Sequence, residues 1–391
     1  MTRQELILKC GECTNLNAIF QVTDKCVLAC KYCFARGAHS GKVQSFSDEL
    51  LESAIKQVFS TPHESVTFEW TGGEALLVGL DFFKKIVAFQ KKHANKPYEN
   101  GVQTSGYLFD KKLIDFLVEN NFVLSITIDG TEEIHNANRP SQKGTSSYQQ
   151  IIETREYIKQ KQGWCGFIAT ITKNNLGHER EILEHFATMG IKSFHSNPYL
   201  YYEKNVVKDK SIALSTNDYA RYFIAQFNAW YDIGKIYPIP MTTDYFMTRL
   251  SAKNISHNTI CSFGGRCLTN FVAIIPNGDA YLCPKFTGSK NMCLGNINDT
   301  TIKELLSPYN GKMSELIDER IIALSRCEKN RCEYAYICNG GCPYHSYITS
   351  NGENIFDVDA LCEGKKMVLD YLKDVVNNVS SMNHTCHKRG D

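Results

Sequence analysis

Along residues 18–197, short β-rich runs alternate with stretches whose apolar residues recur at helical spacing. The strand-like runs are Ala18–Thr23, Ser65–Trp70, Gly101–Thr104, Phe122–Ile128, Phe167–Thr172 and Lys192–Asn197. Between them, Leu76, Leu77, Leu80, Phe83, Ile86, Val87 and Gln90 trace one helical face, and Ile114, Leu117 and Val118 trace another. Six β/α units in series predict an α/β fold with a parallel sheet and right-handed crossovers, a partial (β/α)6 TIM-like barrel. In such a barrel the functional residues sit at the C-terminal ends of the strands. Further on, Ser215-Thr216-Asn217-Asp218 reads as a helix start, with Phe223, Phe227 and Trp230 on one face. Pro276-Asn277-Gly278-Asp279 reads as a hairpin turn, and Met367 to Val379 as a closing helix. No low-complexity linker and no internal repeat interrupts the series.

Composition narrows the class. The chain has 391 residues, 43% hydrophobic and 22% charged, as in an ordinary globular protein that holds one large and one smaller domain. A net charge of +1 argues against a nucleic-acid-coating surface or an anionic-membrane binder. No apolar run has the length of a membrane span, and the start Met1-Thr2-Arg3-Gln4-Glu5 lacks the core of a signal peptide. The expected location is therefore cytoplasmic, with neither nucleic acid nor membrane as partner. Sixteen cysteines in a reducing compartment read as metal ligands rather than disulfides.

The most concentrated chemistry lies just after the first strand. Cys26, Cys30 and Cys33 follow C-x3-C-x2-C spacing in Cys26-Val27-Leu28-Ala29-Cys30-Lys31-Tyr32-Cys33. One loop can wrap them around a compact metal centre, and thiolates serve iron–sulfur clusters or zinc. The next cysteine is Cys165, so the trio matches a cluster that leaves one iron open. Earlier, Cys10-Gly11-Glu12-Cys13 forms a second thiol pair. With His384-Thr385-Cys386-His387 it can make a zinc site, or it can be two free thiols. Both sets stay unassigned.

This loop, with its aromatic residue before the last cysteine, resembles the radical S-adenosylmethionine enzymes. The resemblance implies that the open iron chelates S-adenosyl-L-methionine, whose reductive cleavage gives a 5′-deoxyadenosyl radical. One β/α unit later, Thr71-Gly72-Gly73-Glu74 resembles the family's Gly-Gly-Glu motif, which implies that Gly72, Gly73 and Glu74 hold the methionine amino group. The glycines are read as permitting close approach of the cofactor. Gln103-Thr104-Ser105-Gly106 resembles a related Gln-Thr-Asn-Gly stretch, and Thr127-Ile128-Asp129-Gly130 ends the fourth strand. By resemblance Gln103 belongs to the cofactor site, Thr127 touches the ribose, Arg139 holds the carboxylate, and Tyr32 walls the adenine.

Cysteines return from residue 261. Cys261, Cys267 and Cys283 surround the predicted hairpin, followed by Cys327-x4-Cys332-x5-Cys338-x3-Cys342 and Cys362. This pattern resembles the SPASM extension, which implies two auxiliary four-iron clusters and hence three in all. By position in the relatives, Cys261, Cys267, Cys283 and Cys342 bind the first, and Cys327, Cys332, Cys338 and Cys362 bind the second. The x4 spacing departs from the family's usual x2. Cys165 and Cys293 fall outside every pattern and read as buried or incidental thiols. The expected organisation is an extension over 1–17, the barrel over 18–214, a helical bridge over 215–258, a SPASM domain over 259–365, and a helix and tail over 366–391.

Two classes follow: an oxidoreductase acting on a peptide or protein, or an iron–sulfur electron-transfer protein. The Gly-Gly-Glu motif and the open trio favour the enzyme, since a relay needs neither. The reductant expected is a flavodoxin or ferredoxin. The overall layout resembles anaerobic sulfatase maturases, which oxidise Ser or Cys to formylglycine. Those enzymes carry a Tyr and an Asp where this chain has Ala35 and Pro284, neither able to move a proton. Lys285 is the candidate base beside Pro284. The missing acid shifts the expectation toward enzymes that crosslink ribosomally made peptides through thioether or carbon–carbon bonds, with formylglycine formation second. Only 25 residues precede Cys26. The leader of such a peptide is then expected to be read by the barrel mouth, by the SPASM face or by a separate leader-binding protein.

Overall fold

The computed structural model describes residues 1–34, 45–204, 209–234, 238–251, 261–265 and 267–386, with side chains to residue 378. Six parallel strands follow one another in space as in sequence: β1 (Asn15–Gln21), β2 (Ser65–Thr71), β3 (Tyr98–Thr104), β4 (Phe122–Thr127), β5 (Gly166–Ile171) and β6 (Ser193–Pro198). The α/β partial barrel expected from the alternating pattern is thus present. Beyond β6 lies β7 (Ile239–Pro240), a two-residue strand too short to leave a periodic signal.

The other edge is extended from far along the chain. Strand β8 (Phe271–Ile274) pairs parallel with β1, then turns back through the predicted hairpin into β9 (Asp279–Tyr281) and β10 (Cys293–Asn296). The cysteine-rich region therefore continues the barrel sheet across the boundary expected at residue 258. It also brings Lys285, just after β9, to the barrel mouth.

Alternation explains the two faces. On β2, Val66, Phe68 and Trp70 are buried, and Phe68 packs 5.3 Å from Phe59 of helix Asp48–Phe59. Thr67, Glu69 and Thr71 take the opposite face, which points into the barrel. Gly101, the register partner of Glu69 on β3, leaves room for that carboxylate: a Cβ there would lie 2.4 Å from Glu69 Oε2. Gln90, which interrupts an apolar helical face, is satisfied in the core. It exchanges hydrogen bonds of 2.8 and 3.0 Å with Asn100, which also accepts from Trp70 Nε1.

Helix Thr216–Asp232 begins at the predicted capping box, Ser215 with Asp218. The closing helix is longer than expected, Cys362–Cys386, and packs against Thr216–Asp232 and against helix Met241–Ser251. Residues 1–17, expected only as an extension, hold helix Arg3–Gly11, whose N-terminus is closed by a Thr2–Glu5 capping box. No helix among the described residues is long and apolar enough to cross a membrane.

Candidate active site

A cavity of about 230 Å³ opens at the C-terminal ends of the strands. Its wall collects Cys26, Cys30, Cys33, Tyr32, Gly72, Gly73, Gln103, Thr127, Arg139 and Lys285, residues scattered over the chain that the sequence reading singles out. Glu74 is not on that wall. Its Oε1 accepts from Thr104 Oγ1 at 2.6 Å and Leu76 N at 3.1 Å, and its Oε2 from Ser105 N at 2.9 Å and from Ser105 Oγ. The carboxylate thus ties the loop after β2 to the end of β3. It is a buried clamp whose two oxygens accept from four protein donors.

The two glycines also make a close contact within the protein. A Cβ on Gly72 would lie 2.4 Å from Thr23 O, and one on Gly73 would lie 2.2 Å from Lys25 O. Their missing side chains let the loop after β2 touch the backbone that leads into Cys26. Gly73 N donates to Thr23 O and Glu74 N to Lys25 O, both at 2.8 Å. Backbone packing against the cysteine loop therefore imposes glycine here, while both residues remain on the cavity wall.

Arg139, Tyr32 and Asp129 form a buried chain. Arg139 Nη1 donates to Tyr32 OH at 2.6 Å, and Tyr32 OH donates to Asp129 Oδ2 at 2.7 Å. Thr170 N donates to the other Asp129 oxygen at 2.9 Å. Burial pushes the Asp129 carboxyl up, although Arg139 opposes this. Arg139 Nε is buried with no hydrogen-bond partner among the described residues. An orphaned guanidinium N–H on a cavity wall is costly unless an acceptor arrives, and a ligand carboxylate fits that need. Across the cavity, Gln103 Nε2 donates to Thr127 Oγ1 at 3.1 Å, fixing both side chains at the ends of β3 and β4.

Burial pushes the Cys26 thiol up to about 11 and Cys30 up to about 12. Thiolates at these positions need the compensating charge of metal ions. The later cysteines gather in two further groups. Cys267 lies within electrostatic reach of Cys261, Cys342 and Cys283, and burial followed by that mutual repulsion raises its thiol. Cys327, Cys332, Cys338 and Cys362 line one small cavity of about 30 Å³, the x4 spacing included. Arg320, 2% exposed, interacts with thiols of both groups, Cys267 on one side and Cys327 and Cys338 on the other. Its Nη1 has no hydrogen-bond partner among the described residues. An unpaired buried cation between two sets of thiols fits anionic thiolate-bound clusters there.

Other wall residues escaped the sequence reading: Thr170 and Asn197 at the ends of β5 and β6, Tyr199, Tyr344 and His345. Inward alternation on β5 and β6 was a usable signal for the first two; nothing local marks the others. His345 Nδ1 lies 3.2 Å from Asp359 Oδ2, and burial holds its imidazole below the usual range. Of the unassigned thiols, Cys10 is buried in the core and Cys13 Sγ donates to Asn15 O. Burial pushes Cys165 up to about 12, and Cys293 begins β10. The side chains of His384 and Cys386, and all of His387, lie outside the described residues, as does Ala35. Among the described residues no group of three or more His, Cys, Asp or Glu is close enough to hold a single metal ion.

Residues 20–186 match the model of the Radical SAM superfamily. The chain is 29% identical over 368 residues to the cysteine-type anaerobic sulfatase-maturating enzyme of Clostridium perfringens, covering 90% of this chain and 96% of that one. It is 23% identical to the serine-type anaerobic sulfatase-maturating enzyme of Klebsiella aerogenes, over 83% of this chain and 79% of the other. The solved structure of native anSMEcpe with bound AdoMet and Cp18Cys peptide superposes with a TM-score of 0.77 at 27% identity, covering 93% of this chain and 99% of that one. Residues 20–186 thus carry a radical S-adenosylmethionine domain, and the chain over most of its length is similar to anaerobic sulfatase-maturating enzymes, one of them solved with AdoMet bound.

Proposed function

We propose that this enzyme oxidises a Cys or Ser side chain of a protein or peptide to formylglycine, as an anaerobic sulfatase-maturating enzyme. The observation that carries the reading is likeness over nearly the whole length to enzymes of both named types, together with a cavity reached from strand ends and cysteine-rich region alike. Cys26, Cys30 and Cys33 would hold the cluster that leaves one iron free. Cys261, Cys267, Cys283 and Cys342 would hold one auxiliary cluster, and Cys327, Cys332, Cys338 and Cys362 the other. When bound, the first cluster and S-adenosylmethionine supply a 5′-deoxyadenosyl radical.

The chain's own residues bind and orient. Arg139, with its unspent Nε–H, receives the methionine carboxylate. Thr127, held by Gln103, meets the ribose, and Gly72 and Gly73 present backbone to the methionine end. Tyr32, its hydroxyl fixed between Arg139 and Asp129, presents its ring to the adenine. Glu74 acts through the loop it clamps. The two-electron oxidation would give one hydrogen atom to the adenosyl radical, one electron to a bound auxiliary cluster and one proton to a base. Ser then yields the aldehyde directly, whereas the thioaldehyde from Cys would be hydrolysed by water with loss of hydrogen sulfide. Pro284 cannot take that proton; the amine of Lys285 and the imidazole of His345 stand on the cavity wall. A flavodoxin or ferredoxin supplies the electron that starts turnover.

Pro284, standing where the maturases carry an acid, favours a second reading: crosslinking of a ribosomally made peptide, its leader read by the enzyme surface or by a separate protein. The test is anaerobic incubation of the reduced holoenzyme with sulfatase peptides bearing Cys or Ser, and in parallel with small peptides encoded beside its gene, followed by mass spectrometry. Formylglycine is expected. A neighbouring peptide that loses two hydrogens and gains a fragmentation-resistant ring, with sulfatase peptides unchanged, replaces the first reading by the second.

A further inference from the structure

Two cations are buried where the auxiliary sites approach each other. Arg320, on helix Gly311–Lys329, spends Nη2 on the carbonyls of Asn339 and Gly341, at 2.8 and 2.6 Å. Its Nη1 has no partner, and it forms no ion pair with a carboxylate among the described residues. Gly340 is shaped around it, since a Cβ there would lie 2.9 Å from Arg320 Nη2. Lys365, on helix Cys362–Cys386, is 2% exposed and lines the cavity of Cys327, Cys332, Cys338 and Cys362. Its Nζ lies 2.7 Å from Asp359 Oδ2 and 4.5 Å from the centroid of Phe263.

Asp359 is shared between the two sites. It accepts from the backbone N–H of Cys342 at 2.8 Å through Oδ2, while its carbonyl accepts from Cys362 N at 2.8 Å. Gly341 allows this approach, because a Cβ there would lie 2.2 Å from the same carboxylate oxygen. Burial would raise Asp359, but Lys365 and His345 hold it well below the usual carboxylate range. The buried group therefore holds two cations against one carboxylate. A surplus buried positive charge is costly in a protein interior unless an anion stands beside it. Thiols lie within its electrostatic reach: Cys267, Cys327 and Cys338 for Arg320, and Cys338 and Cys342 for Lys365.

We propose that Arg320 and Lys365 neutralise the two auxiliary clusters and raise their reduction potentials. Arg320 acts on both, with Nη1 donating to cluster or thiolate sulfur, and Lys365 acts chiefly on the cluster of Cys327, Cys332, Cys338 and Cys362. The inference rests on the ligand sets given above. A reduced cluster carries one more negative charge than an oxidised one, so a fixed cation beside it favours reduction. The two residues thus make the auxiliary clusters better acceptors for the electron that leaves the substrate.

The test is an anaerobic redox titration of reconstituted holoenzyme followed by electron paramagnetic resonance, with iron counted in every preparation. Arg320→Met should lower the midpoints of both auxiliary signals and Lys365→Met chiefly that of one, while the radical-cluster midpoint stays put. Arg320→Lys and Lys365→Arg should remain near wild type. Unchanged or raised midpoints at full iron overturn the proposal. If the Met variants lose auxiliary iron, retention in the charge-conserving variants supports it, and equal loss in both overturns it in favour of packing alone. Wild-type protein that binds only about four irons, one cubane, fails the ligand reading itself, and the iron count tells that failure apart.

Discussion

Replacing Gly73 by alanine tests how the cofactor cavity is built. The new Cβ would sit 2.2 Å from Lys25 O, 2.6 Å from Lys25 C and 2.8 Å from Asp24 O, all backbone atoms that no rotamer change can move. Relief requires the two loops to part by roughly 1 Å, to reach an ordinary carbon–oxygen contact. That movement stretches the bonds from Gly73 N to Thr23 O and from Glu74 N to Lys25 O, both 2.8 Å. It also displaces the residue preceding Cys26. Overpacking of this kind costs about 1–3 kcal/mol, and a reacting group misplaced by 1 Å can lose about a hundredfold in rate. Gly73→Ala should therefore stay folded, bind S-adenosylmethionine roughly 5–150-fold more weakly, and form 5′-deoxyadenosine at about one hundredth of the wild-type rate. The assays are anaerobic equilibrium binding and chromatography of the quenched reaction. Gly11→Ala, where a Cβ meets nothing within 4 Å, is the silent control. Wild-type affinity and turnover in Gly73→Ala would refute the claim that the Gly-Gly loop and the cysteine loop form one rigid unit.

Arg139→Lys keeps the charge but loses the fork and the unpartnered Nε–H; S-adenosylmethionine binding should weaken about 10–100-fold, as for a lost charged hydrogen bond of about 1.5–3 kcal/mol. Unchanged affinity in a calorimetric titration removes Arg139 from the carboxylate site. Glu69 is pushed up to about 7 by burial, from an ordinary 4.5. An acid whose folded value is raised contributes full stability below its unfolded value and loses it as pH climbs through the folded one. Stability should thus fall between about pH 4.5 and 7 by on the order of 3 kcal/mol at most. Anaerobic thermal denaturation should show Glu69→Gln gaining over wild type as pH rises from 5 to 8, and a pH-independent gap contradicts the assignment.

The barrel was legible because its strands alternate, and alternation survives in sequence. All six long parallel strands stand within a few residues of their expected bounds, and the hairpin turn at Asn277-Gly278 joins β8 to β9. What sequence could not carry is direction. Glu74 belongs to a motif, yet its carboxylate turns away from the cavity to Thr104 and Ser105, a choice made by contacts some 30 residues distant. Arg320 and Lys365 belong to no motif of the sequence, and only tertiary packing buries them among thiols. β10 carries a glycine and a register shift, and so left no strand pattern. The reading of substrate turned on Pro284, a single position, and weighed less than likeness across 90% of the chain.

The loop of Cys26, Cys30 and Cys33 should drive reductive cleavage of S-adenosylmethionine. The most direct measurement compares wild type with the triple variant Cys26→Ala, Cys30→Ala, Cys33→Ala, both reconstituted anaerobically, reduced and given S-adenosylmethionine. Wild type should bind about twelve irons and the variant about eight, in steps of one four-iron cluster. Only wild type should yield methionine and 5′-deoxyadenosine. Cleavage that persists in the triple variant, or wild-type protein that carries full iron and cleaves nothing, contradicts the account.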